Sequence, residues 1–414
     1  MRNDLRIATA AVLANPSPSI TDGWRARLIT NEKGKGLPIV ANALIALQHA
    51  PEWAGVLAFD QSSFNTIAKN QPPWDDLREP PFVWTDEDDI RTAAWLQHEG
   101  IMAAKETAGQ AVQTIARDHG FHPIRDYLDS LKWDRVKRIG EWLTLYLGVD
   151  PSDYVRAVGA KWLIGGVARI YKPGCKNDCS LILEGSQGTL KSTALGVLAK
   201  PWFTDSLAEI GSKDSALETR GVWLIELSEL DSLARPEVSR IKAYMSRATD
   251  RFRPPFGRRP IEAPRECFFA GTSNHSAYLR DETGARRFWP VKCGVIRIDE
   301  LRRDRDQLWA EAREQFKTGV TWWLEDKQLI AAAADEQKQR YEGDTWDEKI
   351  NHWIAEKDTV TVGGILEFCL EIKPGLWKQS DQNRVARCLR AAGWERFRVR
   401  EGKQLGWRYR KVMP

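Results

Sequence analysis

Short apolar runs alternate with amphipathic stretches along the chain, which is the pattern of a mixed α/β protein. Three apolar runs have the length of buried strands, and polar or acidic residues follow each of them, at 179–183, 221–229 and 266–274. Helical spacing of apolar positions predicts helices over 39–49, 89–99, 104–119, 139–147, 154–171 and much of 301–340. This order predicts an α/β core preceded by a mostly helical region.

A glycine-containing loop joins the first apolar run to a helix predicted over 193–200. Strand, phosphate-binding loop and helix in this order are typical of a P-loop, whose backbone N–H groups bind phosphates at a helix N-terminus. Lys191 would reach the β- and γ-phosphates of ATP, and Ser192 would hold Mg²⁺. The candidate nucleotide-binding residues are Gly185, Ser186, Gln187, Gly188, Thr189, Leu190, Lys191, Ser192 and Thr193.

Leu190 occupies the position at which the P-loop pattern has its second glycine. Because this residue begins the predicted helix, we expect a backbone φ that is not positive. A glycine-rich strand-to-helix turn that binds nothing remains the alternative for the loop alone.

The second and third apolar runs end in residues that suit nucleotide hydrolysis. Glu226 could position Mg²⁺ through water and Glu229 could orient the attacking water, or the two roles could be exchanged. Asn274, after the third run, could hydrogen-bond the γ-phosphate or the attacking water. Arg286 and Arg287 follow closely, and one of them could act as an arginine finger, often in a neighbouring subunit. Structural ion pairs are the alternative for these arginines.

Two further segments are rich in basic residues. The loop around 250–260 interleaves arginine with phenylalanine, which favours contact with nucleic acid over a solvated basic turn. Its candidate contacts are Arg251, Arg253, Phe256, Arg258 and Arg259.

The last segment, 345–414, predicts a short strand and a helix over 359–370, a second helix over 381–392 and a basic hairpin. This outline is that of a winged helix, in which Arg384 and Arg387 on the second helix would face DNA. A basic protein-docking domain is the alternative.

Composition limits the setting of the protein. The net charge of +4 is small, the six cysteines form no zinc pattern, and no apolar run approaches the length of a membrane span. The first residues lack the apolar core of a signal peptide, so we expect a cytoplasmic protein without membrane contact. Acidic residues after Thr85 could form a metal site, but capping of a helix by Thr85 is the preferred interpretation.

Taken together, the motifs resemble those of the virulence-associated E-like proteins. They lie at 121–134, 185–193, 226–230, 253–258, 272–274 and 283–290. The resemblance covers roughly 105–330. It implies a superfamily 3 helicase-type AAA+ P-loop ATPase that forms rings, usually hexamers, with ATP and Mg²⁺ between subunits. With the residue patterns it predicts three domains. Residues 1–104 form a mixed, mostly helical region, and 105–340 form an ATPase with a helical collar (105–173) and a core (174–300). Residues 345–414 form a winged-helix-like basic module.

Carried onto this sequence, the resemblance makes Lys191 and Ser192 the Walker A pair, and Glu226 and Glu229 the Walker B acids. It implies that Asn274 is the sensor, that Arg286 or Arg287 is the trans finger, and that Lys242 joins the arginine loop facing DNA. Many relatives carry a primase block, which this sequence lacks, so priming would come from a separate protein.

The sequence thus predicts an ATP-dependent helicase or translocase that acts on single-stranded or forked DNA during replication of a phage or mobile element. The alternative is a nucleotide-switched DNA-binding initiator or regulator without processive unwinding. An ATPase in host–phage conflict would have the same chemistry.

Overall fold

The computed structural model describes residues 23–74, 77–206, 215–228, 235–253, 259–275, 278–279, 285–340, 344–401 and 404–411. The chain divides into two compact units, one comprising 1–130 with 253–261 and the other 131–252 with 262–414. No helix in the described ranges combines the length and the apolar character that a membrane crossing requires.

The first unit packs helices against a small sheet. Its helices are α1 (Val40–His49), α2 (Asp86–His98), α3 (Lys105–Asp118) and α4 (Pro123–Ser130), and its strands are β1 (Leu57–Asp60), β2 (Asn65–Ala68), β3 (Phe82–Val83) and β4 (Gly120–Phe121). The strand order is β3-β2-β1-β4, with only the β1–β4 pair parallel. The core is rich in tryptophan, and Trp53 packs against the rings of Trp74, Trp84 and Trp95.

The acidic stretch at the start of α2 is a helix cap, as predicted. Thr85 is the N-cap residue, and its backbone N–H donates to Asp88 Oδ2 at 2.7 Å in a capping box. Arg78 forms an ion pair with the same Asp88 carboxylate. The cap satisfies backbone donors of the first helical turn, and the acids complement the positive end of the helix dipole.

The second unit begins with two helices and continues into a large sheet. Its elements up to residue 340 are α5 (Trp142–Leu147), α6 (Asp153–Tyr171), β5 (Ser180–Glu184), α7 (Lys191–Ala199), β6 (Phe203–Thr204), α8 (Ser215–Glu218), β7 (Leu224–Leu227), α9 (Arg235–Met245), β8 (Thr249–Phe252), β9 (Ile261–Pro264), β10 (Phe268–Ser273), β11 (Phe288–Lys292), α10 (Ile298–Lys317) and α11 (Lys327–Gln339).

Five strands form a parallel sheet in the order β11-β5-β10-β7-β6, which confirms the mixed α/β prediction. Every residue of β5, β7 and β10 is buried, as expected for strands covered on both faces. Because the strands are parallel, the carboxyl ends of β5, β10 and β7 lie side by side at one edge. The three polar tips predicted from sequence therefore meet there.

The C-terminal part of the second unit has its own apolar core. Its elements are α12 (Asp347–Ile354), β12 (Thr359–Val360), α13 (Val362–Gly364), a π-helical turn (Ile365–Cys369), α14 (Gln379–Ala391), β13 (Trp394–Glu401) and β14 (Gln404–Lys411). The strands form an antiparallel sheet in the order β12-β14-β13. The predicted sequence of strand, helix, helix and hairpin is present.

Candidate functional site

The loop between β5 and α7 turns sharply where it meets the helix. Gly188 has a φ of +81° and Leu190 a φ of +66°, both in the left-handed region. The prediction that Leu190 avoids a positive φ is therefore wrong, because the residue is the N-cap that closes the loop and does not yet have helical geometry. A left-handed conformation costs a residue with a Cβ roughly 1–2 kcal/mol. The Leu190 side chain is 49% exposed, so little packing offsets that cost.

Lys191 lies across the loop. Its ammonium donates to the carbonyl oxygens of Gly185 and Ser186 at 2.8 Å each, and to Asn274 Oδ1 at 3.2 Å. The residue is only 6% exposed. Asn274 directly follows β10, the strand next to β5, and this adjacency brings its amide to the loop.

Glu226 lies in β7 and meets the helix that begins at Lys191. Its Oε1 accepts hydrogen bonds from Ser192 Oγ at 2.7 Å and from Thr272 Oγ1 at 2.8 Å. Glu226 is 2% exposed, and its Oε2 has no hydrogen-bond partner among the described residues. The β10 register places Ala270 opposite Glu226, so Thr272 is one same-face position further along. Sequence reasoning gave Thr272 no role, since a threonine in an apolar strand carries no distinctive signal.

A second acid, Glu184, ends β5 immediately before the loop. It is buried and accepts three hydrogen bonds from Arg340, at 2.9, 3.0 and 3.2 Å. It accepts another from the Tyr278 hydroxyl at 2.8 Å. Burial, followed by the neighbouring Glu184 charge, raises the pKa of Tyr278 well above its usual value, which keeps that hydroxyl a donor. Arg340 follows α11 and lies 156 residues after Glu184 in the sequence. The pair was not predicted from the sequence, because no short-range pattern links the two residues.

Cys293 flanks the same strand end. Its backbone N–H donates to the carbonyl of Glu184 at 2.8 Å, and burial raises the pKa of its thiol to about 12. The nearby Lys191 charge opposes this increase but does not cancel it.

The paired arginines lie at the opposite edge of the sheet. Both precede β11, whose first residue pairs with Ser180 at the amino end of β5. Arg287 forms an ion pair with Asp178 at 3.3 Å and donates to Ser246 Oγ at 3.1 Å, whereas the Arg286 side chain is exposed. A five-residue strand spans roughly 13–17 Å. The structure therefore does not bring either arginine to the loop of its own chain.

The residues predicted to contact DNA fall into two groups. Lys242 is buried in α9, with its ammonium 5.4 Å from the centroid of the Phe288 ring. Arg251, Arg253 and Arg259 are exposed, and the predicted basic loop lies between the paired strands β8 and β9. The described residues do not include Phe256 and Arg258 of this loop. They also do not include Glu229, the candidate second acid of the hydrolysis site.

The two arginines predicted to read DNA from α14 lie against their own module. Arg384 forms an ion pair with Asp344 at 2.6 Å, and its guanidinium lies 3.9 Å from the Trp346 ring centroid. The Nε of Arg387 is buried and has no hydrogen-bond partner among the described residues. The exposed basic surface of this module is instead the hairpin, where Arg396 and Arg398 lie over the Trp407 ring.

Several solved structures are similar to the chain. An apo structure of the NrS-1 C-terminal region is 12% identical, with 86% of this chain and 96% of that chain covered and a TM-score of 0.45. The A form of the same region gives 15% identity, coverage of 69% and 78%, and a TM-score of 0.39. No curated protein matches the chain.

The model of the virulence-associated protein E-like domain matches residues 128–342, which is just over half of the sequence. This stretch contains the loop 185–190, Glu226, Asn274 and Arg340, and the match confirms the resemblance to this family seen in the motifs. The chain belongs to the virulence-associated protein E-like domain family.

Proposed function

We propose that the chain is an ATP-dependent DNA translocase or helicase of the superfamily 3 AAA+ type, used in replication of a phage or mobile element. The observation that carries the proposal is the meeting of Lys191, Ser192, Glu226 and Asn274 at one sheet edge, with side-chain distances of 2.7 and 3.2 Å. These residues come from three separate strand ends. Their arrangement supports nucleotide binding better than a loop that binds nothing.

ATP would bind with its phosphates against the loop 185–190 and the N-terminus of α7. The backbone N–H groups and the helix dipole both favour an anion there. An added Cβ at Gly188 would meet nothing within 4 Å, so the loop leaves open space on that side. The Lys191 ammonium, which now bonds to two loop carbonyls, would turn outward to the β- and γ-phosphates.

Ser192 and Glu226 would hold Mg²⁺. The residues fit this ion because they supply a hydroxyl and a carboxylate, the hard oxygen ligands it prefers, and because Glu226 Oε2 is buried and unpartnered among the described residues. Bound there, Mg²⁺ would neutralise charge on the β- and γ-phosphates. Asn274 would orient the attacking water or the γ-phosphate, and Glu229 stays the candidate for the second acid.

Arg286 or Arg287 would complete the site of a neighbouring subunit. Their position at the far edge of the sheet supports a role in trans, since neither can reach the loop of the same chain. A head-to-tail arrangement that apposes opposite edges of successive copies forms a ring when the rotation from one copy to the next closes after a whole number of copies. We therefore propose a homo-hexamer with ATP between subunits.

DNA would be held by the β8–β9 hairpin and by the C-terminal module as a winged helix. Exposed arginines on the hairpin and the basic surface near Trp407 support this contact. Lys242 is buried near Phe288, so we assign it a structural role rather than direct contact with DNA. A separate primase would supply primers.

A second candidate is a nucleotide-switched initiator or regulator that binds DNA without processive unwinding. The separately packed C-terminal core with its basic hairpin favours it. An unwinding assay on a forked substrate, run with ATP and with the Glu226→Gln variant beside the wild type, tests the two. Strand separation by the wild type alone supports the helicase. ATP hydrolysis without strand separation supports the regulator.

A further inference from the structure

A cavity of about 620 Å³ opens at the sheet edge opposite Lys191, beside the amino ends of β5 and β11. Its walls are mostly apolar, and three of its lining residues are Trp289, Trp322 and Trp323. The cavity is large enough for a nucleotide, and pockets of this kind usually bind small molecules through apolar walls and a few polar groups. Two of its lining residues, Arg286 and Arg287, are the candidates for the trans finger, and the rest of the cavity has no role in the proposed function.

The aromatic walls are held in fixed positions. Trp322 Nε1 donates to the carbonyl of Lys176 at 2.8 Å, and the Trp322 and Trp323 rings meet edge to face at 5.0 Å. Trp323 is nevertheless 45% exposed, so part of a rigid indole faces solvent. A fixed, accessible indole is a stacking surface for a planar aromatic group.

The charged groups at the cavity favour an anion. Lys176, Arg286 and Arg287 line it, against one acid, Asp178, that already pairs with Arg287. The Arg286 guanidinium has no hydrogen bond or ion pair with any side chain in the described parts of the chain. A guanidinium that pairs with no side chain in the described ranges, beside the exposed Trp323 indole, matches a ligand that combines an aromatic ring with a negative charge.

We propose that this cavity is a second nucleotide-binding site, in which a base stacks on Trp323 and a phosphate is bound by Arg286. The nucleotide could be free or part of a single strand, since both present a planar base and a phosphate. The site lies at the opposite edge of the sheet from the phosphate loop of the same chain. Stacking on Trp323 does not depend on the ATPase proposal, whereas Arg286 is shared with the proposed trans finger. A chain that never hydrolysed ATP would still bind a nucleotide here.

The test uses the full chain carrying Lys191→Ala, which removes the cation of the first site. Adenosine monophosphate is titrated by calorimetry, and a fluorescein-labelled oligothymidylate is titrated by anisotropy. Binding of the first probe identifies a free nucleotide, and binding of the second identifies a strand. We expect Trp323→Ala and Arg286→Ala each to weaken the bound probe about tenfold or more, and Trp323→Phe to weaken it less.

Arg302→Ala is the matched control, because Arg302 is an exposed arginine on α10 with a 60% exposed side chain. Equal thermal midpoints show that each variant is folded. The proposal is overturned if neither probe binds the Lys191→Ala chain, if Trp323→Ala binds within twofold of it, or if Arg302→Ala weakens binding as much as Arg286→Ala.

Discussion

Ser192 Oγ donates a 2.7 Å hydrogen bond to Glu226 Oε1. The bond joins the first turn of α7, the helix that follows β5, to β7, which is separated from β5 in the sheet by β10. The other carboxylate oxygen of Glu226 has no partner in the described structure, although the residue is 2% exposed. Buried polar atoms are nearly always hydrogen-bonded, so this oxygen fits the proposed Mg²⁺ or a water bound to it.

Glu226→Gln should lower ATP hydrolysis at least about 100-fold while the fold persists, since the amide keeps the hydrogen bonds to one oxygen but removes the charge that holds Mg²⁺. Hydrolysis rates and binding of labelled ATP measure the two effects separately. Glu262→Gln, on the exposed side of β9, is the matched control and should change neither. Equal hydrolysis by Glu226→Gln and the wild type would contradict the assignment.

Leu190→Gly should leave the free energy of unfolding unchanged or raise it by up to about 1 kcal/mol, because relief at a φ of +66° offsets the greater freedom of glycine in the unfolded chain. Leu145→Gly is the control, since Leu145 is similarly exposed at 47% but lies in α5. That change should lower stability by about 1 kcal/mol. Urea denaturation of both variants measures the difference, and a larger loss in Leu190→Gly would refute the strain argument.

Arg340→Ala should destabilise the second unit by about 3–5 kcal/mol, because it leaves the Glu184 carboxylate buried without its cation. Arg156→Ala removes an ion pair with Glu141 in which both side chains are 44–45% exposed, and should change stability by less than about 1 kcal/mol. Adding Glu184→Gln to Arg340→Ala should recover part of the loss. Denaturation curves of the three variants test this, and similar costs for both arginines would disprove it.

The thiols of Cys179 and Cys293 should resist alkylation in the native protein at neutral pH. Burial raises the pKa of each to about 12, so the thiolate fraction near pH 7.5 is far below that of an exposed cysteine. Reaction should accelerate as the pH approaches 12 and on unfolding, when the ordinary pKa returns. Peptide mapping after N-ethylmaleimide treatment measures both sites. Rapid native labelling of Cys293 at pH 7.5 would contradict the burial argument.

The sequence predicted the parts of the site that depend on local order. The loop, the helix carrying Lys191 and the acid in an apolar strand follow from short-range patterns, and parallel pairing then brings Glu226 and Asn274 to the loop. The Arg340–Glu184 pair could not be predicted, because it joins residues 156 positions apart with no pattern between them.

Other differences come from tertiary context. Leu190 has a positive φ because it is the N-cap residue at which the loop closes onto the helix. The sequence pattern placed the residue at the start of the helix itself and therefore predicted a different φ. Lys242 was expected to face DNA from the family resemblance, and Arg384 from the winged-helix outline. One is buried near Phe288 and the other pairs with Asp344. Spacing on a helix does not indicate which face the rest of the chain covers.

The most direct test of the account is the steady-state rate of ATP hydrolysis, measured with and without single-stranded DNA, for the wild type and Lys191→Ala. The account predicts hydrolysis by the wild type that DNA stimulates, and a loss of about 100-fold or more in the variant, because no other described cation lies within the loop. Equal rates in the two proteins, with or without DNA, would contradict it.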